Sequence, residues 1–307
     1  MGDSSDSTLE ILKKYNVSIL QQTESDNYSA WRQKLLEWGR SRGGTHFICL
    51  DADEAFTNNF FVNFRETFSS LKPGQKLVMD WLCLWKNPYK LRSDNSIWSN
   101  NDHDFVFCDD GVSMYGSIKL HEPRTPGPNT KENTIRINRE IGAVLHFQFV
   151  PFERFQMKQA YQRCREYVLK TADAWSINQK YSNTLDDPNA MCIDMPSEWI
   201  QNFVGLSKLS DIGPDWYYPA ICNYFLQYGV KYFEPLEIWH IHQLRNIFTQ
   251  ETGEIPQSLI IPPFKARFFS VIIMLFHALP LPNSIKAAIR VSCLKVIAFT
   301  RIKVITC

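Results

Sequence analysis

The chain reads as an α/β protein: a mixed sheet flanked by helices over residues 1–170, followed by a helical extension. Three observations predict this. Strand-length apolar runs alternate with stretches of helical period up to about residue 170. Their order at the start is helix, strand, helix, strand, helix, as in a wound α/β sheet. Beyond residue 171 that texture gives way to polar, irregular sequence and then to Trp- and Tyr-rich helical patterns. The organisation expected is therefore 1–170 as the α/β domain, 171–262 as a helical extension, and 263–307 as a separate tail.

In chain order, the polar turn Gly2-Asp3-Ser4-Ser5-Asp6-Ser7-Thr8 runs into Leu9, Ile11, Leu12 and Tyr15, with Asp6 or Ser7 placed to cap a first helix. Residues 17–20 are a brief strand. Trp31, Leu35 and Trp38 fall at i, i+4 and i+7, one face of a helix that Gly43-Gly44 ends. Phe47-Ile48-Cys49-Leu50 is an unbroken apolar run, which predicts a strand buried on both faces inside a parallel sheet. Phe56, Phe60, Phe61, Phe64, Phe68 and Leu71 then form a helical aromatic stripe, a pattern of core packing, closed by Pro73-Gly74. Residues 76–85 are a strand carrying Asp80, residues 86–103 a polar loop, and residues 105–107 and 117–120 further strands. The Pro-, Gly- and Asn-rich segment 125–133 reads as a mobile lid. Residues 142–150 alternate, with Ala143, Leu145, Phe147 and Phe149 facing one way and Val144, His146 and Gln148 the other. Pro151 opens a helix with Met157, Tyr161, Cys164 and Val168 on one face.

Composition narrows the function classes. With 44% hydrophobic residues, 21 Phe, 12 Tyr and 9 Trp, the chain can bury a substantial core. A formal net charge of +1 provides no global basic field for nucleic acid. The eight cysteines are dispersed, without a CxxC pair, which argues against a zinc ribbon or a secreted disulfide framework and for a reduced, cytoplasmic setting. Polar residues directly follow Met1, so no signal peptide is expected. The longest apolar approach to a membrane span, residues 268–281, is broken by Ser270, His277 and Pro280. After a linker with Pro256, Pro262 and Pro263, residues 263–307 hold seven Lys or Arg and no Asp or Glu. Such a tail fits equally a membrane-surface segment and a basic helical cap packed on the domain.

The chemistry concentrates at Asp51-Ala52-Asp53. Two carboxylates just past a buried strand repel each other and resist desolvation unless a cation sits between them. A divalent ion bridging to phosphate oxygens satisfies both. The competing reading is a polar turn.

Three segments together resemble the inverting family 2 glycosyltransferases of the GT-A (Rossmann-like) fold. The Asp3 turn is similar to the acidic, Ser-rich turn of those enzymes. Leu50-Asp51-Ala52-Asp53-Glu54 resembles their Asp-x-Asp metal motif, in the form found in lipopolysaccharide-core type members. Leu120-His121-Glu122 followed by Leu145-His146-Phe147 resembles their later acidic element and C-terminal histidine. The resemblance covers the first half of the chain. It implies Mg²⁺ or Mn²⁺ on Asp51, Asp53 and His146, a nucleotide-sugar donor with Asp3 near the nucleoside, and Glu122 as the base that takes the acceptor proton, with Asp109 and Asp110 as runners-up. Lys158 and Arg163 are candidates for phosphate, against the reading of solvated helix charges. The implied acceptor is a glycan or a lipid-linked glycan at the inner membrane face. The β-α-β unit that ordinarily precedes the Asp3 turn in that family has no counterpart here, so a truncated, inactive binding domain is the alternative. A haloacid-dehalogenase-type phosphohydrolase fits less well, since Ala55 stands where that family has Thr or Val.

Overall fold

The computed structural model describes residues 7–21, 28–116, 123–181, 190–211 and 216–257, apart from 63, 95, 97 and 100. The chain divides into two compact units: Met1–Val150 with Asn189–Ser210, and Pro151–Pro188 with Asp211–Cys307. Asp3, Glu122, the expected strand at 117–120 and the basic tail at 263–307 lie outside the described residues.

The first unit begins with α1 (Thr8–Leu12), α2 (Tyr28–Ser41), β1 (His46–Ile48), β2 (Glu54–Phe56), α3 (Asn58–Val62) and α4 (Phe64–Ser69). It continues with β3 (Lys76–Cys83), β4 (Lys90–Arg92), β5 (Asp102–Cys108), β6 (Thr134–Arg136) and β7 (Val144–His146). The second unit holds α5 (Phe152–Val168), α6 (Ala174–Lys180), α7 (Tyr217–Tyr228) and α8 (His242–Thr252). Between α6 and α7 the chain returns to the first unit, where β8 (Cys192–Asp194) pairs with β4.

The main sheet is mixed, in the order β1-β5-β3-β7-β2 with β6 also on β3. Its centre is β3. One edge of β3 runs antiparallel to β5; the other runs parallel to β6 along residues 76–78 and parallel to β7 along residues 81–83. The run that begins at Phe47, expected inside a parallel sheet, instead supplies β1, antiparallel to β5 and last in the strand order, with Ile48 42% exposed. An apolar run of four residues does not say whether a strand is central, and β3, with Leu77, Met79, Leu82 and Cys83 buried, has the longer claim to the core.

Other expectations shift for local reasons. Residues 17–20 form no strand, and Ser7 occupies the cap of α1 without a side-chain bond. The phenylalanine stripe is split between β2, α3 and α4, yet its rings still meet: Phe56–Phe60 at 4.4 Å, Phe60–Phe64 at 5.6 Å and Phe64–Phe68 at 4.4 Å between centroids. On α2 the buried residues are Ser29 and Leu36, while Leu35 is 49% exposed. Gly39 allows Phe47 to lie directly on that helix, where a Cβ would stand 2.2 Å from the ring. The polar loop 86–103 includes β4, and the irregular stretch 171–198 contains both α6, capped by Asp173 accepting from the Ser176 N–H (2.9 Å), and β8.

Segment 125–133 is pinned and does not hang as a lid. Thr125 donates to the buried Asp104 carboxylate, and Lys76 Nζ donates to Gly127 O and Asn129 Oδ1, both at 2.8 Å.

The expected boundary at residue 170 moves back to Pro151. α5 buries Met157, Ala160 and Cys164 against Ile177, Ile221, Phe225 and Phe233, so it belongs with the helices that follow it. Among the described residues no helix is long and apolar enough to cross a membrane.

Gly142 precedes β7 at a point where a Cβ would meet Phe60 Cβ at 2.6 Å. Gly142→Ala is expected to destabilise the first unit by about 1–3 kcal/mol through overpacking, read as a lower urea midpoint with an unchanged slope.

Candidate functional site

Residues 49–53 connect β1 to β2, and their backbone is tightly tied. Glu54 N–H donates to Asp51 O (3.1 Å), while Asp51 N–H donates to the Glu54 carboxylate (2.8 Å). Phe147 N–H donates to Asp53 O (2.9 Å), and the β2–β7 register sets Glu54 opposite His146. Sheet pairing thus brings together residues more than ninety positions apart in sequence: Asp53 Oδ2 lies 3.5 Å from His146 Nε2. The imidazole is buried, stacked on Trp81 at 4.1 Å and edge-on to Phe149 at 5.3 Å. The alternation around His146 holds in direction, with Ala143, Leu145 and Phe147 in one core cluster and Val144 in another, but neither face is open to solvent: Val144, Leu145 and His146 are all buried.

Beside this pair stands a second cluster. The Glu54 carboxylate is fully buried and accepts from Trp81 Nε1 (2.7 Å) and from both terminal nitrogens of Arg124 (2.8 and 2.5 Å). Arg124 lies over the Phe105 ring at 4.9 Å and also reaches the Asp51 carboxylate at 3.3 Å. Arg32 approaches Asp51 from α2 at 3.8 Å and donates to Pro123 O at 2.8 Å. Two guanidinium groups therefore converge on Asp51, whose side chain is 55% exposed.

A half-open cavity of about 710 Å³ runs from Asp51 between α2 and β1. Trp31, Leu35 and Trp38, the apolar face read from the sequence, line this cavity together with Ile48 and Tyr115. Arg42 lies over the Trp38 ring at 4.2 Å. The walls are mainly apolar, with cationic side chains near one carboxylate, a lining suited to a flat or apolar group that carries negative charge.

Three of the expected site residues, Asp51, Asp53 and His146, are thus brought to one end of the sheet, and two others, Asp3 and Glu122, lie outside the described residues. Lys158 belongs to α5 of the second unit. So does Arg163, which is no solvated helix charge: it is buried, donates to Tyr181 O at 2.9 Å and lies over the Tyr181 ring. Burial pushes its guanidinium down to about 10. The runners-up for the base are occupied. Asp109 receives two bonds from Arg40 (2.8 and 2.7 Å), and Asp110 closes a turn through Val112 N–H, Ser113 N–H and Ser113 Oγ. Burial raises the Asp110 carboxyl, but the Ser113 and Val112 bonds outweigh it and leave it below the usual range.

A divalent ion fits this arrangement in part. Donors 3.5 Å apart, as Asp53 and His146 are, can share one cation, and ions of the Mg²⁺ type are commonly held by one or two carboxylates completed by substrate phosphate. Among the described residues no three His, Cys, Asp or Glu side chains converge into a complete cage. His146 Nδ1 is buried without a hydrogen-bond partner, so it lacks the outer acceptor that a metal-bound imidazole ordinarily has. Asp53 is the firmer ligand of the two. Asp51 is turned toward arginine.

Sequence reasoning missed Glu54, Trp81, Arg32 and Arg124 as members of the site. Only Glu54 carried a signal, by adjoining Asp53. No protein-family model and no curated protein matches the sequence.

His103 on β5 adds a pH dependence. Burial, helped by the Arg124 charge, pushes its imidazole down to about 4. The folded state then binds fewer protons than the unfolded chain between pH 6.5 and 4. Stability is expected to be fully present above about pH 6.5 and to fall as the pH drops through that window. Urea midpoints of wild type and His103→Gln between pH 7.5 and 4 check this, with a flatter profile expected for the variant.

Proposed function

We propose that the first unit is the core of a glycosyltransferase of the GT-A type, moving a sugar from a nucleotide donor to a glycan or lipid-linked acceptor by inverting displacement. One observation carries the reading: Asp53 lies 3.5 Å from His146 at one end of a mixed sheet, and Asp51, two residues earlier, borders the cavity beside α2. A phosphohydrolase reading has no comparable support, because the nucleophilic position of an Asp-x-Asp motif would fall to Asp51, which two arginines hold.

In this reading the cavity takes the nucleoside, with the indoles of Trp31 and Trp38 available to stack on a base. Asp53 and His146 would hold a Mg²⁺ or Mn²⁺, which would stabilise the charge that builds on the departing diphosphate. Arg32 and Arg124 add fixed positive charge at the same end of the cavity. Trp81 and Phe149 cover the imidazole of His146 and keep water from it. Glu122 remains the proposed base for the acceptor hydroxyl. The protein would work in the cytoplasm, with residues 263–307 holding it peripherally at the membrane.

A second reading, nucleotide binding without turnover, is favoured by one specific fact: Asp109 and Asp110 are committed to structural bonds and supply no base.

Calorimetric titration of UDP and GDP, each with and without Mn²⁺, tests the proposal. Wild type is expected to bind one of them in a metal-dependent manner, and Asp53→Ala to weaken that binding at least tenfold. Turnover of the matching sugar nucleotide then separates transferase from binding domain. A folded wild type that binds neither nucleotide would sink both readings.

A further inference from the structure

We infer that Arg32 and Arg124 form a diphosphate-binding clamp and that Asp51 occupies it as an internal stand-in for the anion. This rests on the reading of the site as a diphosphate-expelling one, and it assigns Asp51 a different part from that of a standing metal ligand.

The argument begins with Glu54. Its buried carboxylate, fixed by Trp81 Nε1 and Asp51 N–H, takes two parallel bonds from Arg124, so that guanidinium is held at one place and orientation. A bidentate pair of this kind gives direction as well as energy. Arg124 still has reach to spare: the nitrogen that bonds Glu54 Oε2 also lies 3.3 Å from Asp51 Oδ2. Arg32 faces the other oxygen of the same carboxylate, Oδ1, at 3.8 Å, and is anchored by its bond to Pro123 O. Asp51 is thus gripped from two sides by side chains 23% and 11% exposed, while its own is 55% exposed. The fixed parts are the cations, and the carboxylate is the outer, replaceable part.

Charge makes the stand-in necessary. Arg32 and Arg124 carry two positive charges; Glu54 and Asp51 balance them, and Asp53 adds one negative charge nearby. With Asp51 in place an incoming anion meets a neutral-to-negative site. With Asp51 drawn away, each guanidinium group offers a phosphate oxygen the terminal nitrogen that had faced the carboxylate, Nη1 of Arg124 and Nη2 of Arg32. Displacement of Asp51 would open both guanidinium groups to the diphosphate, while Asp53 and His146 would hold any cation that accompanies it.

The decisive experiment uses inorganic pyrophosphate with the full chain in EDTA, so neither a metal nor a sugar nucleotide enters. Asp51→Asn is nearly isosteric and removes the competing charge. It is expected to bind pyrophosphate about five- to tenfold more tightly than wild type, with binding weakened by salt. The double variants Asp51→Asn/Arg124→Gln and Asp51→Asn/Arg32→Gln are expected to lose this gain. The Arg32 variant leaves the buried Glu54–Arg124 pair intact, so it reports even if loss of Arg124 unfolds the protein. Equal or weaker binding by folded Asp51→Asn, or a gain that survives loss of Arg32, overturns the clamp. Neither result bears on sugar transfer, which is read by nucleotide-sugar turnover alone.

Discussion

The buried carboxylate of Glu54 is the constraint on which the candidate site depends. A fully desolvated carboxylate costs several kcal/mol unless paired and hydrogen-bonded. Here it is satisfied by the Trp81 indole N–H, the Asp51 amide and the Arg124 guanidinium. Each of these partners comes from a different part of the first unit. Trp81 lies on the central strand β3, Asp51 in the β1–β2 connection, and Arg124 just ahead of the segment pinned by Thr125, Gly127 and Asn129. One charge therefore ties the sheet, the motif loop and the following loop into a single geometry.

That geometry explains how a short motif acquires a setting. Asp53 is placed by a backbone bond to Phe147, so its distance from His146 follows from β2–β7 pairing and not from a flexible side chain. His146 is in turn fixed between Trp81 and Phe149. Asp51, one residue away from Asp53, faces the arginines. Two carboxylates separated only by Ala52 thus have different neighbours, and the repulsion expected between them is relieved by cations of the protein itself.

The cavity alongside depends on a packing choice in α2. Only Leu36 and Ser29 are buried on that helix, while the Trp31, Leu35 and Trp38 face stays open along the cavity. Gly39 lets Phe47 close against the helix and Phe107 stack behind it at 5.2 Å, which walls the cavity. An apolar stripe at helical spacing marks a surface that avoids water without saying what it meets. Core, ligand and partner all satisfy the same pattern.

The sequence by itself determined the α/β class, the change of texture after the first domain, the absence of a basic field and the pair of carboxylates at Asp51 and Asp53 that marks the candidate site. These are local properties: apolar period, composition and the cost of adjacent like charges. Much of the sheet was legible too, since β3 and β7 fall within the apolar runs at 76–85 and 142–150, and β5 contains the run at 105–107. What only tertiary structure decided were strand order, the edge position of β1, the pairing of β4 with β8 across a hundred residues, and the inclusion of α5 in the second unit. The roles of Arg32, Arg124 and Trp81 belong to the same class. An isolated Arg or Trp in a sequence has no period or spacing to betray its partner, because the partner is chosen by hydrogen-bond register between strands distant along the chain. Burial of Glu54 was likewise invisible, since desolvation is a property of the surroundings and not of the residue.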